Sequence, residues 1–373
     1  MKKIKTSILI CSLLMTSLLC SQDLEVWVSD AGGFSNPPWF IFKFDENGEN
    51  PIEVMSQSDG IEWPEDIIFL EDDGVVLISN LNAAGTISRH NINTGDFISK
   101  FAAGLGGPTR MKIGPDDLLY VLQWTGSGTV LRYQLDGTFV DEFTNVGVAQ
   151  SIGIDWDSSG NLYISSYGNS LIRKFDTSGN DLGLFINSGL NGPTNIFFDQ
   201  SGSGDLIVFN WNNGIVQRYN SSGVFVENLI TGINQCEGFD FMPNGDILIG
   251  VGSDDTVKRY DNNFNFIENF IESGTLITPN AVAIRETTLT VTDFELASNF
   301  IIPSIGTRFS IKTNLSSEVE YLEIYTISGI FIEKIILNET SFWDASKFSE
   351  GVYIIKATTI NGKVSTQKVV VKK

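Results

Sequence analysis

Two columns of residues recur through this sequence and could act together. The first supplies Glu65-Asp66, Thr109-Arg110, Gln150-Ser151, Thr194-Asn195, Glu237-Gly238 and Asn280-Ala281. Carboxylates and amides converging on one axis suit Ca²⁺. The second column is Trp124, Tyr167 and Trp211, each seven or eight residues before a basic residue. Large aromatics in adjacent loops form a platform for a sugar ring or an extended peptide. Asp66, Asn195 and Glu237 are then the expected hydrogen-bonding partners of that ligand.

Other chemistries find little material. His90 is the only histidine, so nucleophile-and-base catalysis and His/Cys zinc sites are poorly supported. Cys11 and Cys20 lie in an N-terminal leader, which leaves Cys236 without a disulfide partner and reads as a buried structural thiol. Gly104-Leu-Gly-Gly-Pro108 is turn chemistry rather than a phosphate cradle. Asp45-Glu-Asn-Gly-Glu-Asn50 looks like a Ca²⁺ loop but sits at a strand turn. No catalytic residue and no organic cofactor is assigned; Ca²⁺ is the one inorganic candidate.

Both columns are set out by an internal repeat. A basic residue precedes an aromatic at Lys43-Phe44, Arg132-Tyr133, Lys174-Phe175, Arg218-Tyr219 and Arg259-Tyr260, and Arg89-His90 takes the same place. Successive spacings are 46, 43, 42, 44 and 41 residues. A turn column at Gly74, Asp117, Gly160, Gly204 and Gly245 keeps the same period. Each repeat holds four short alternating runs, near 151–156, 161–166, 171–176 and 182–187 in one case, joined by Asp-Ser-Ser-Gly and Asp-Thr-Ser-Gly turns. Four strands per repeat is the arithmetic of a propeller blade. Five full repeats begin near Glu62, Gly107, Ala149, Gly192 and Gln235. About three strands precede them, and Thr278–Arg285 supplies one more inner strand. The expectation is an all-β, six-bladed propeller over 22–285, closed by strands from both ends of the ring. In that setting His90 replaces a packing aromatic, and the basic column serves blade-to-blade ion pairs.

The block Ser151-Ile-Gly-Ile-Asp-Trp-Asp-Ser-Ser-Gly-Asn-Leu-Tyr-Ile-Ser-Ser-Tyr-Gly-Asn-Ser-Leu-Ile-Arg-Lys-Phe175 resembles an NHL repeat. The resemblance covers roughly 23–285. It implies the propeller fold, and a family range that spans recognition modules, lyases and lactonases. The six-bladed lactonase and phosphotriesterase relatives use acid and amide ligands, and the resemblance implies Glu65, Asn195, Glu237 and Asn280 as the nearest equivalents by position in the blade, a candidate Ca²⁺ set.

Residues 286–297 read as a Thr-rich linker, and 298–373 as a small β-sandwich. The strand with Ser328-Gly329, the run Ser349-Glu-Gly-Val-Tyr353, Asn361-Gly362-Lys363 and the terminal Val-Val-Val-Lys-Lys resemble a type A C-terminal sorting domain of the Bacteroidetes type IX secretion system. Where that family opens with Tyr-Pro-Asn-Pro, this chain has Phe300-Ile-Ile-Pro-Ser304. The resemblance implies passage across the outer membrane, with the type IX machinery as a partner.

Residues 1–21 carry three lysines and then an apolar run from Ile8 to Leu19, which reads as a secretory signal peptide. No other apolar run reaches the roughly 18 residues a transmembrane helix needs. The chain has a net charge of −21, and residues 22–299 alone carry −26. Such a surface repels phosphate backbones, so nucleic acid is not an expected partner. Three readings follow. The first is a secreted or surface-held module that recognises an extracellular glycan or protein. The second is a Ca²⁺-dependent lactonase-like hydrolase or lyase, and the third a structural adhesin component.

Overall fold

The computed structural model describes residues 23–82, 84–199, 202–287, 300–311, 319–327, 329–336, 342–360 and 364–373. The expected signal segment, with Cys11 and Cys20, lies outside the described residues. So do most of the expected linker, Ser328 and 361–363 of the tail. The chain separates into two compact units, Met1–Thr288 and Leu289–Lys373.

The first unit contains six four-stranded antiparallel sheets. Five follow chain order, with inner strands Pro64–Leu70, Pro108–Ile113, Ser151–Trp156, Pro193–Phe198 and Cys236–Phe241; these are blades 2 to 6. Blade 1 is composite. Its inner strand Pro279–Thr287 pairs with Asp23–Asp30, followed by Phe40–Phe44 and Ile52–Ser56. Val28 faces Val282 and Val26 faces Ile284 across this seam. The ring is therefore closed by strands from both ends, as the repeat count predicts.

The second strands, such as Leu119–Gln123, Leu162–Ser166 and Leu206–Asn210, are buried at every residue. A blade is covered on both faces by its neighbours, so its middle reads as a continuous apolar run rather than an alternating one. Carboxylates on the inner strands of alternate blades tie the ring together. Asp66, Asp155 and Asp240 each accept a backbone N–H from the next blade, of Met111, Phe198 and Ile284, all at 2.7 Å. Asp30, fully buried, clasps the composite blade by accepting the N–H groups of Gly32, Ile277 and Thr278, each at 2.9 Å.

His90 does stand in the aromatic column. It packs edge-on against Phe97 at 5.7 Å, as Tyr133, Tyr219 and Tyr260 pack against Phe139, Phe225 and Phe266. Its ring nitrogens contact Gly95 O and Ser88 Oγ. The basic column departs from expectation. Lys43, Arg132, Lys174, Arg218 and Arg259 pair with Glu25, Asp116, Asp157, Asp199 and Asp246, every one inside its own blade. The acids sit in the adjoining turn or on the neighbouring strand of the same blade. The loop at Asp45 is likewise structural: Asp45 Oδ1 accepts Asn47 N and Glu49 N, while Oδ2 accepts Asn50 Nδ2. Cys236 is fully buried, and burial pushes its thiol up to about 12.

The second unit holds a three-stranded sheet and a five-stranded sheet around one core. Phe309 stacks on Trp343 at 5.3 Å, and Trp343 Nε1 donates to Glu333 at 2.6 Å. Along the final strand Val369 and Val371 are buried while Val370 is not, the period-two pattern of a half-covered strand. Tyr353 Oη donates to Ser349 O, which closes the Ser-Glu-Gly-Val-Tyr run.

Candidate functional site

One backbone device repeats around the ring and sets the aromatic column in place. The residue before the inner strand of blades 2 to 6 has positive φ: Trp63 (51°), Gly107 (68°), Gln150 (50°), Gly192 (64°) and Gln235 (58°). Its carbonyl accepts the N–H of the residue that directly follows the second strand, namely Leu81, Trp124, Tyr167, Trp211 and Gly252. In blade 1, Ala31 N donates to Thr278 O in the same manner. Each member of the column is thus pinned to the mouth of the ring, next to the start of an inner strand. Three of the five left-handed positions carry a side chain rather than glycine. Such strain persists where the surroundings over-determine it, often at binding sites.

The result is an aromatic cup of about 240 Å³, lined by Phe34, Trp63, Trp124, Tyr167 and Trp211 together with Leu81, Ile152, Glu65, Gln235, Glu237 and Asn280. Trp124 and Tyr167 lie 5.6 Å apart, inclined at 40°. Phe34 bridges Trp63 and Trp211 at 5.9 and 6.0 Å. Trp39 Nε1 holds the Phe34 loop by donating to Phe34 O at 2.6 Å. All five rings are half-buried, so their faces remain available.

The structure divides the carboxylate column in two. Glu65, Glu237 and Asn280 line the aromatic cup. Asp66 and Asn195 do not; they line a second cavity of about 320 Å³ with Arg110, Lys112, Asp155 and Asp240. The inner strand is irregular between Pro64 and Asp66, and adjacent Glu65 and Asp66 are delivered to different cavities. Of the predicted ligand-binding set, Trp124, Tyr167, Trp211 and Glu237 are brought together, while Asp66 and Asn195 are not.

Arg110 joins the two cavities. Its Nη2 donates to Glu237 Oε1 at 2.9 Å and to Asn280 O at 2.6 Å, and its Nε lies 3.4 Å from Asn195 Oδ1. Burial pushes the Glu65 carboxyl up to about 7, against the pull of Arg110. Asn280 Nδ2 and Trp63 Nε1 also favour the Glu65 carboxylate, although neither makes a hydrogen bond of good geometry. Glu237 is raised well above the usual carboxylate range by burial, with Arg110 opposing and the neighbouring Glu65 adding to the rise. Two acids against one guanidinium therefore hold a proton between them near neutral pH.

These donors do not fit Ca²⁺. The guanidinium of Arg110 stands among three of the four predicted ligands, and Asn195 Nδ2 is committed to Glu237 O at 2.6 Å. A divalent ion shared by Asn195, Glu237 and Asn280 would sit directly against that fixed positive charge. Among the described residues no group of three or more His, Cys, Asp or Glu side chains is arranged to hold a metal.

Sequence reasoning missed Phe34, Trp63 and Arg110. Trp63 had a visible signal, since Trp63-Pro64 stands where Gly107-Pro108 and Gly192-Pro193 stand in other repeats. Arg110 was in the column but not recognised as its countercharge. Phe34 lies in the divergent first repeat and carried no signal.

No family model matches the chain, and no curated protein matches it. Solved structures do. A chain from a nidogen/laminin complex aligns with a TM-score of 0.57 and 14% identity, covering 71% of this chain and 99% of its own. A protein of unknown function from Bacteroides caccae aligns with a TM-score of 0.56 and 16% identity over the same shares. At these identities the likeness is one of fold. No helix among the described residues is long and apolar enough to cross a membrane.

Proposed function

We propose that the propeller is a recognition module that seats one residue-sized group of a glycan or polypeptide in its aromatic cup. The observation that carries this is the convergence of five half-exposed rings on a cavity of about 240 Å³ over buried Glu65 and Glu237. Small-molecule pockets run from roughly 300 Å³ upward, so the cup suits a single ring or side chain. Trp124, Tyr167 and Trp211 stack on the ligand, and Glu237 with Glu65 accepts its hydrogen bonds. The chain reaches its ligand by export: residues 1–21 act as the signal, and 298–373 as an NHL propeller's type IX sorting tail. Two features of the sequence support this, the charged-then-apolar leader and the terminal Val-Val-Val-Lys-Lys strand.

Glycan and peptide arrays test the reading, with Trp124→Ala and Trp211→Ala as controls. Both variants should lose binding without a change in melting temperature. Binding that survives both substitutions would move the site elsewhere. Deletion of 298–373 should leave the protein in the periplasm.

A further inference from the structure

We propose, resting on the recognition reading, that the cup takes the alkylammonium end of a lysine side chain presented by a polypeptide partner. The distribution of polarity around the cavity carries the choice. Glu65, Glu237 and Asn280 come from inner strands, are at most 4% exposed, and form the floor. Ile152, also from an inner strand, completes the floor, and the walls are Phe34, Trp63, Leu81, Trp124, Tyr167 and Trp211, with Gln235 as their polar member. A sugar ring is polar around its whole rim and would set hydroxyls against those walls. A lysine side chain is apolar along its stem and polar at its tip, which matches walls and floor in turn.

Charge points the same way. Ring faces attract a cation, more strongly where water is excluded. Arg110 is turned toward Glu237 and Asn280 O and is absent from the cup lining. Glu65 and Glu237 together outnumber that one guanidinium, so Glu65, pushed up to about 7 by burial against the pull of Arg110, has a proton to exchange for an ammonium, with Asn280 Nδ2 and Trp63 Nε1 beside it. Residues 22–299 carry −26, a field that draws cationic ligands and repels anionic ones.

The test titrates the full chain by calorimetry and tryptophan fluorescence with four probes: N-acetyl-lysine methylamide, its norleucine counterpart, choline and glucose. The lysine probe should bind at least tenfold more tightly than norleucine. Trp211→Ala, on the rim, should weaken it at least tenfold, and Glu65→Gln should erase the preference over norleucine in a variant whose melt is unchanged. Should Glu65→Gln fail to fold, the four-probe ranking on the unmodified protein still decides. Equal binding of norleucine would make the cup a neutral apolar slot and overturn the proposal. Choline binding without lysine binding would overturn it too. Glucose binding alone, or array hits confined to glycans or lysine-free peptides, would overturn it while the recognition reading stood. Silence from all probes and both arrays would end both.

Discussion

Arg110 Nη2 lies 2.9 Å from Glu237 Oε1, an ion pair whose two side chains are each 5% exposed. The pair joins blade 3 to blade 6 across the axis, and it turns a ring of acids into a balanced centre. Removing the guanidinium leaves a buried charge uncompensated, which costs about 3–5 kcal/mol. Arg110→Met should lose stability on that scale in a denaturant titration. Added Ca²⁺ or EDTA should leave the melting midpoint of the unmodified protein unmoved. A Ca²⁺-dependent rise in that midpoint would overturn the assignment of Arg110 as the resident cation.

Stability should fall as pH rises from about 4.5 to about 7. Glu65 is pushed up to about 7 and Asp240 to about 6, both chiefly by burial. The folded state then holds protons that the unfolded chain releases, so folding is favoured below the ordinary carboxylate range and weakened as the pH climbs through the raised values. Groups facing this centre are Arg110, Asp66, Glu237 and Lys112. Asp141 and Asp157, lowered by hydrogen bonds to Arg132 and Asn161 despite burial, act oppositely and only at more acidic pH. Melting temperature against pH should therefore peak near the ordinary carboxylate range, at about pH 4–4.5, and Glu65→Gln should flatten the descent above it.

The Asp30 clasp should be worth more than a surface contact. Its carboxylate holds three backbone N–H groups, two of them nearly 250 residues away. Hydrogen bonds to a charged group contribute about 1.5–3 kcal/mol each and are not additive. Asp30→Ala should cost roughly 3 kcal/mol or more. Amide exchange should accelerate first in Asp23–Asp30, and uniform acceleration around the ring would refute a local clasp.

Gly238 is required by a close approach rather than by its backbone angle. A Cβ there would stand 2.5 Å from the Cα of Ala281 on the next inner strand. Gly238→Ala should destabilise by about 1–3 kcal/mol, the range for overpacking. Gly245→Ala is the comparison: nothing lies within 4 Å of its added Cβ, and only its φ of 88° is strained. The Gly238 variant should melt lower, and the reverse order would remove the steric argument.

What the sequence disclosed and what it hid separate along physical lines. Blade number and ring closure follow from columns with a constant period, because each repeat must place its turn and its aromatic in the same register. His90 was legible for that reason. The position of the aromatic column is legible too, since Trp124, Tyr167 and Trp211 each directly follow the second strand of a blade. Asp66 and Asn195 belong to the other cavity because they stand one position further along their inner strands than Glu65, Glu237 and Asn280, and spacing alone does not say which position reaches the cup. Partner choice within the basic column was equally hidden. Arg132 finds Asp116 and Asp141 on its own sheet, and neither is distinguished in sequence from acids of the next blade.

Asp23 pairs with Thr287 and Asp30 with Pro279, so the first strand of the ring finds its inner neighbour in the last. Vectorial synthesis delivers these partners at opposite ends of the process. Until residue 287 has emerged, Asp23–Asp30 presents an unpaired edge, and the buried Asp30 carboxylate has only Gly32 to hold. Loop-closure entropy is at its greatest for this last step. A nascent chain of this design is therefore a growing arc with one adhesive end, and its lifetime in that form sets its exposure to misassembly.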